Sequence, residues 1–341
     1  MQDIFFSGFY SMAQALVRIF LIILFAGYLV RKGIITKNHI DSLSAITVLV
    51  LLPALVFGNT LQYFDPHQLS YWWLLPILGI ALSLIGLLLA KVVFGLNRPD
   101  KNNLLALSSM QNAGYLVLPI GQVVYPEQFA TFSLLTFLFI LGYNPILWTL
   151  GKYLITSKQK PVEKFQFKSI ITPPAAANVI SLIIVLLGIQ HFIPKPLVQS
   201  ADFLGKAAIP IATFVLGATL GSISLKKLPN LADTLKVISV KYILLPVLTI
   251  SILYLFNIGN KYPLLADFLV IQAAAAPATG LILQVRTYGG NQTKVAGIMF
   301  ITYIICLFAL PFWIAFWHTI LCKLAFYYIS ILMPFWAFRK H

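Results

Sequence analysis

An all-α protein that crosses a membrane many times is predicted for this chain by three observations. Of its 341 residues, 60% are hydrophobic and only 10% are charged, and the mean hydropathy is +0.90, a balance outside that of soluble domains. Apolar runs of about 20 residues, the length that spans a hydrocarbon core of roughly 30 Å, follow one another and leave no room for a soluble domain between them. The Lys and Arg behind the formal net charge of +15 are scattered singly and in pairs among these runs. A nucleic-acid partner asks for basic residues gathered on one polar face, so none is expected; the composition implies the lipid bilayer instead.

Taken in order, the runs predict ten spans, near 11–30, 40–61, 71–94, 103–125, 129–151, 170–189, 198–221, 236–257, 264–286 and 294–316. The first follows Met-Gln-Asp without a basic stretch and runs on into Arg31-Lys32, which reads as a retained span rather than a cleaved signal. A basic cytoplasmic loop, 152–169, separates the first five spans (1–151) from the second five (170–316). The remainder, 317–341, holds a further apolar run at 318–338 with Lys323 and Pro334, ending in Arg339-Lys340-His341. That run is either an additional C-terminal membrane helix or a helix lying in the interface.

The loop charges set the orientation. Odd-numbered connections carry Arg31, Lys32 and Lys37, then Arg98 and Lys101, then the five lysines of the central loop, then Lys226, Lys227 and Lys236, and finally Arg286 and Lys294. Even-numbered connections offer only Lys195 and Lys261, beside Asp65, Glu127, Asp202 and Asp267. The odd loops are therefore predicted to be cytoplasmic and the N-terminus periplasmic, in a cell inner membrane. The Asn291-Gln292-Thr293 sequon then falls on a cytoplasmic loop and carries no glycan. Cys306 and Cys322 lie in apolar runs without metal-ligand spacing and read as packing residues.

The two halves repeat. Spans 5 and 10 align at an offset of 166, pairing Ala130 with Ala296, Thr136 with Thr302, Leu141 with Leu307 and Pro145 with Pro311. Spans 2 and 7 share a proline followed by Gly-x-Thr-Leu: Pro53, Gly58, Thr60 and Leu61 against Pro210, Gly217, Thr219 and Leu220. Five spans is an odd number, so the second half must enter the membrane from the opposite side. An inverted repeat of this kind places a substrate site near the midplane, where interrupted helices aim their freed backbone ends at the ligand.

Spans 4 and 9 carry the interruptions. Span 4 contains Ser108-Ser109-Met110-Gln111-Asn112-Ala113-Gly114, then Pro119 and Gly121; span 9 contains Gln272, four alanines, Pro277, Thr279, Gly280 and Gln284. At an offset of 165, Asn112 falls opposite Pro277. Gly and Pro are common in membrane helices and can simply bend them. Two adjacent amides at membrane depth, Gln111 and Asn112, need partners that a helix break lining a cavity supplies. Asn59, Thr136, Asn144, Gln272 and Thr302 are further candidate cavity residues, although each can instead bond its own or a neighbouring helix. The substrate-binding set is thus Asn112, Gln111, Gly114, Pro277, Thr279, Gln272, Asn59 and Thr136, with Pro119 and Gly280 at the helix breaks.

Here the chain resembles a known family. QNAGYLVLPIGQVVYPE is similar to span 4, and AAAAPATGLILQVRTYGGN to the Pro-centred span 9, of the auxin efflux carriers, bacterial permeases included; LPALVFGNTL and IPIATFVLGATL resemble their spans 2 and 7. The likeness covers 11–316. It implies a ten-helix fold similar to sodium/proton antiporters and bile-acid transporters, in which spans 4 and 9 cross at their breaks beside a scaffold domain. It also implies export or uptake of small organic anions such as auxin-like acids, malate or malonate, with Asn112 at the substrate carboxylate and Pro277 at the crossing. The oligomeric state, a homodimer included, stays open.

Charges inside spans complete the reading. Arg18, Lys91, Lys206 and Lys241 lie within a few turns of a predicted face, so snorkelling accounts for them, with Arg18 the deepest and a candidate for attracting an anion. All nine acidic residues fall in loops or at span ends, which argues against a paired-carboxylate cation exchanger. Sodium held by carbonyls, or proton coupling, stays open, and no cofactor is expected. No Ser/His pair, carboxylate pair or metal-ligand cluster stands at membrane depth, and His318 stands alone at the end of span 10, so an intramembrane enzyme is disfavoured. A channel or ligand sensor would share the fold of a carrier.

Overall fold

The computed structural model describes residues 2–96, 99–155, 172–223, 229–288 and 292–337. The central loop from 156 onward, Arg98, Lys226, Lys227, Asn291 of the sequon and the terminal Arg339-Lys340-His341 lie outside the described residues, as do the side chains of Arg286, Cys322 and Lys323. Among the described residues there is no strand. Seven helices are long and apolar enough to cross a bilayer by length and composition: α1 from Phe5 to Arg31, α2 (Lys37–Tyr63), α3 (Leu74–Phe94), α6 (Pro126–Ile155), α8 (Lys195–Gly221), α9 (Leu231–Leu255) and α12, whose segment Gln292–Leu321 qualifies. They fall on the first, second, third, fifth, seventh, eighth and tenth expected spans.

The other three positions hold shorter elements. The sixth is α7 (Pro173–Leu186), opened by Pro173 in the first turn and capped by the Thr172 hydroxyl, which accepts from the Ala175 N–H at 3.4 Å. The fourth is divided into α4 (Asn102–Ser109) and α5 (Val117–Val124), and the ninth into α10 (Pro263–Ala274) and α11 (Gly280–Tyr288). α12 runs unbroken from Gln292 to Ala337. Among the described residues, 318–337 continue the tenth span's helix without a turn.

Close helix contacts are made where glycine leaves room. α1 packs on α8 and α12, and α3 packs on α6. At Gly142 in α6 a Cβ would stand 1.9 Å from the Pro76 carbonyl oxygen of α3, so only glycine admits that approach. Gly27 and Gly221 do the same for α1 and α8, a Cβ on Gly221 coming within 2.4 Å of the Gly27 Cα. α2, α6 and α9 each contain a five-residue π-turn beside a proline: Thr47–Leu51 before Pro53, Leu147–Gly151 after Pro145, and Val240–Leu244 before Pro246. A proline cannot donate to the carbonyl four residues back, and in α9 the freed Tyr242 carbonyl accepts instead from the Trp313 indole at 2.7 Å.

One of the expected surface-reaching charges, Lys241, behaves differently in the structure. Arg18 and Lys206 lie on outward faces, Lys206 paired with Asp202 at 2.7 Å. Lys241 does not snorkel: it is 0% exposed. It sits ten residues into α9, about 15 Å along the helix, and its side chain turns toward the interior rather than toward either end.

Candidate functional site

The two interrupted helices meet at their interruptions. α4 stops at Ser109 because Met110 takes extended backbone angles, and α10 stops at Ala274 because Ala275 does so. Pro277 supplies the local reason in the second case, since it lacks an N–H and disfavours helical angles at the residue before it. The unwound stretches lie antiparallel, with Gln111 opposite Pro277. The Asn112 N–H donates to the Ala276 carbonyl at 2.7 Å, and the Ala278 N–H donates to the Met110 carbonyl at 3.0 Å. Backbone groups that leave their helices in an apolar interior must find partners; here each interruption satisfies the other.

Side chains brace the crossing. The Asn112 amide donates to the Tyr303 hydroxyl at 2.6 Å, and that hydroxyl donates to the Pro277 carbonyl at 3.1 Å. The Tyr143 hydroxyl donates to the Gln111 carbonyl, and Gln272 donates to the Ala113 carbonyl at 3.2 Å. Tyr143 and Tyr303 were not singled out from sequence. Each is one tyrosine among many in apolar helices, and its role arises from a contact with a residue 32 or 26 positions away.

A cavity of about 190 Å³ opens on one side of the crossing. Gln111, Asn112, Gly114, Thr279 and Gly280 line it, so five of the predicted site residues come together. Pro119 also faces it, from the first turn of α5, so the interruption lies before Pro119, around Gly114. Asn144 contributes as expected. Asn178 on α7, which was not anticipated, joins it and donates to the Phe137 carbonyl at 2.7 Å. Apart from Thr172 and the hydroxyls of Tyr115 and Tyr143, the remaining walls are apolar and aromatic, among them Leu52, Val56, Phe137 and Trp148. No Lys, Arg, His, Asp or Glu lines it among the described residues.

Two half-helices, α5 and α11, begin at this cavity. The first turn of a helix carries roughly half a positive charge, which favours anions; at these two starts the Leu118, Leu281 and Ile282 N–H groups already donate to the Gly114, Ala278 and Thr279 carbonyls, so the dipole rather than free N–H groups would act. Gln111 adds a second sign of an unfilled site: it is 0% exposed, and neither its amide nitrogen nor its amide oxygen has a hydrogen-bond partner.

The structure places other predicted residues away from the cavity. Asn59 is buried but spends its amide on the Ala130 carbonyl at 3.0 Å and the Ser133 hydroxyl at 2.6 Å, joining α2 to α6. Thr136 and Thr302 bond carbonyls of their own helices, Phe132 at 3.0 Å and Met299 at 2.7 Å. Gln272 supports the crossing from behind. Pro277 sits in the crossing itself and does not line the cavity.

His318 is not alone, contrary to the sequence reading. Its Nε2 lies 3.1 Å from both oxygens of Asp267, which also accept from the Tyr125 hydroxyl at 2.9 Å and the Trp317 indole at 3.1 Å. Asp233 joins Lys101 at 2.9 Å and Lys294 at 2.8 Å, tying the starts of α9 and α12 to the turn before α4. No group of three His, Cys, Asp or Glu residues able to hold a metal occurs among the described residues.

The sequence was compared with known proteins. It matches the family described as "Membrane transport protein" twice, over residues 11–166 and 160–314. Similar curated proteins include Uncharacterized transporter MJ1031 of Methanocaldococcus jannaschii, 25% identical over 62% of this chain and 70% of that protein. Protein PIN-LIKES 5 of Arabidopsis thaliana is 23% identical over 80% of this chain and 88% of its own length. The "Putative malonate transporter" of Rhizobium meliloti is 32% identical over a shorter stretch, 32% of this chain and 33% of that protein.

Proposed function

The chain belongs to the membrane transport protein family, that of the auxin efflux and PIN-like proteins, and from that premise we propose that it is a secondary transporter for a small organic anion. The observation that carries the reading is the cavity at the crossing: two half-helix starts, the Asn112 amide and the unpartnered Gln111 amide face a space without a charged side chain among its described lining residues. An anion held there is balanced by dipoles rather than by a fixed cation. The names of two relatives, each called a transporter, also point away from an enzyme.

On this reading each interrupted pair, α4 with α5 and α10 with α11, makes one crossing of the membrane, and α7 makes another. The seven long helices and these three give ten spans in two halves of five. The family's own match divides the chain at the same place, near 160. Inverted halves would put the crossing at the midplane, and one domain rocking against the other would open the cavity to each side in turn. The loop charges favour an inner membrane with the N-terminus outside.

Charge balance narrows the substrate. Two helix starts of roughly half a charge each match one carboxylate, and the apolar walls suit an apolar body attached to it. A dicarboxylate such as malonate would bring a second charge with no countercharge in the described lining. The test is uptake of radiolabelled malonate, phenylacetate and other carboxylates by proteoliposomes, with and without sodium and proton gradients. Saturable uptake that Asn112→Ala abolishes supports the assignment; uptake unchanged in that variant sinks it.

A further inference from the structure

Lys241 is fully buried in the middle of α9, and its Nζ has no hydrogen-bond partner among the described residues. An ammonium presents three N–H donors and a whole charge; without acceptor or water it is among the least tolerable groups in an interior. Ionisable residues at such depth commonly mark ion pathways and proton relays.

The surroundings hold the lysine beside the crossing but outside the cavity. Its π-turn, Val240–Leu244, is a geometry that recurs at functional positions, and it packs against α4 and α10, the half-helices that run into the interruptions. Tyr242, the next residue, is pinned twice to α12: its hydroxyl donates to the Thr302 carbonyl at 2.6 Å, and its carbonyl accepts from Trp313. Cys306 of α12 is the ionisable group beside Lys241, and its sulfur lies 3.7 Å from the carbonyl of Ala274, the last residue of α10.

Among the described residues no carboxylate is shown to compensate it. α4 carries no ionisable side chain, and α3, which also packs on the π-turn, carries only Lys91. The acid of α10, Asp267, is taken up by Tyr125, Trp317 and His318. The acid of α9 itself, Asp233, is held by Lys101 and Lys294. Tyr303 of α12 is committed to Asn112 and Pro277.

We propose that Lys241 is the coupling-proton site of the transporter: its amine takes a proton from water on one side of the membrane and yields it to the other as the crossing alternates. The Nζ lone pair forms an N–H bond as an O–H bond of hydronium breaks and leaves water; on the other side that N–H bond breaks and its proton returns to water, so no further reactant is needed. The proposal rests on the transporter reading, and it answers the coupling question that carboxylates leave open.

The test has an arm that needs no substrate. Proteoliposomes on a solid-supported membrane receive a pH step, and the charge displaced by proton binding is recorded for wild type, Lys241→Met and Lys241→Gln. Displacement in the wild type that is lost in both variants, each monodisperse in detergent, supports the site. Displacement that persists in either well-folded variant, or none in the wild type, overturns it. The second arm measures proton-gradient-driven uptake of radiolabelled malonate and phenylacetate. No uptake alongside lysine-dependent displacement removes the transporter reading for these acids and leaves the proton site standing. Uptake with displacement unchanged in Lys241→Met removes the proton site and leaves the transporter.

Discussion

Asn112 and Tyr303, 191 positions apart in the chain, share a 2.6 Å hydrogen bond in which the amide donates to the hydroxyl, and the hydroxyl in turn donates a hydrogen bond to the Pro277 carbonyl. One hydroxyl thus fixes the side chain of the first interruption against the backbone of the second. The amide that faces the cavity owes its orientation to α12, an element that does not line the cavity.

Tyr303→Phe separates that orientation from bulk. It keeps the ring and leaves the Pro277 carbonyl and the Asn112 amide without a partner in a buried place. Orphaning such groups costs about 1–3 kcal/mol, so the melting temperature in detergent should fall. Uptake should lose affinity more than maximal rate if Asn112 contacts the bound anion. An unchanged KM with a lowered melting temperature would assign Tyr303 to architecture alone.

Gly142→Ala tests the approach of α6 to α3. The added Cβ would meet the Pro76 carbonyl oxygen at 1.9 Å, a backbone atom that cannot swing aside. Relieving the overlap by shifting helices costs about 1–3 kcal/mol, occasionally more. Because α6 also carries Phe137, Asn144 and Trp148 of the cavity wall, substrate affinity should fall together with thermal stability. Alanine tolerated without loss of either would contradict the packing described here.

Asp267→Asn and His318→Gln should differ sharply although they break the same pair. The Asp267 carboxylate faces three donors from two segments, Tyr125 before α6 and the adjacent Trp317 and His318 of α12, and its side chain is 11% exposed against 40% for His318. Replacing it leaves an amide that must turn an N–H toward at least one of those donors, at a cost of about 3 kcal/mol by analogy with breaking a buried pair. His318→Gln loses one half-exposed interaction and should cost under about 1 kcal/mol. Thermal unfolding at neutral pH measures both; equal losses would mean that the histidine, not the tyrosine and indole, organises the acid.

Much of this was legible along the chain. The interruption at 275–279 follows from Pro277, because a proline acts on its own backbone and needs no neighbour to do so; that at 110–116 is expected in span 4 from its Gly114 and Pro119, but its start at Met110 is not marked by either. Lys241 was misjudged because sequence gives a residue's distance from a helix end but not the direction in which it leaves the helix. Snorkelling requires an outward direction as well as a nearby face, and α9 turns Lys241 toward α4 and α10. His318 and Tyr303 were missed for a related reason: their partners, Asp267 and Asn112, are 51 and 191 residues distant, and no local pattern announces such a pairing.

Thr136→Val follows from the same distinction between position and direction. The repeat aligns Thr136 with Thr302, which made it a candidate for the cavity, but its hydroxyl donates to the Phe132 carbonyl one turn back, and it does not line the cavity. That carbonyl keeps its own helical environment when the hydroxyl is removed, and Val matches Thr in shape, so stability should change by less than about 1 kcal/mol. Uptake should match the wild type within error, whereas Asn112→Ala, facing the cavity, should lose it. If Thr136→Val instead impaired uptake as deeply as Asn112→Ala, the substrate would have to reach the far face of α6, and the cavity at the crossing would not be its only resting place.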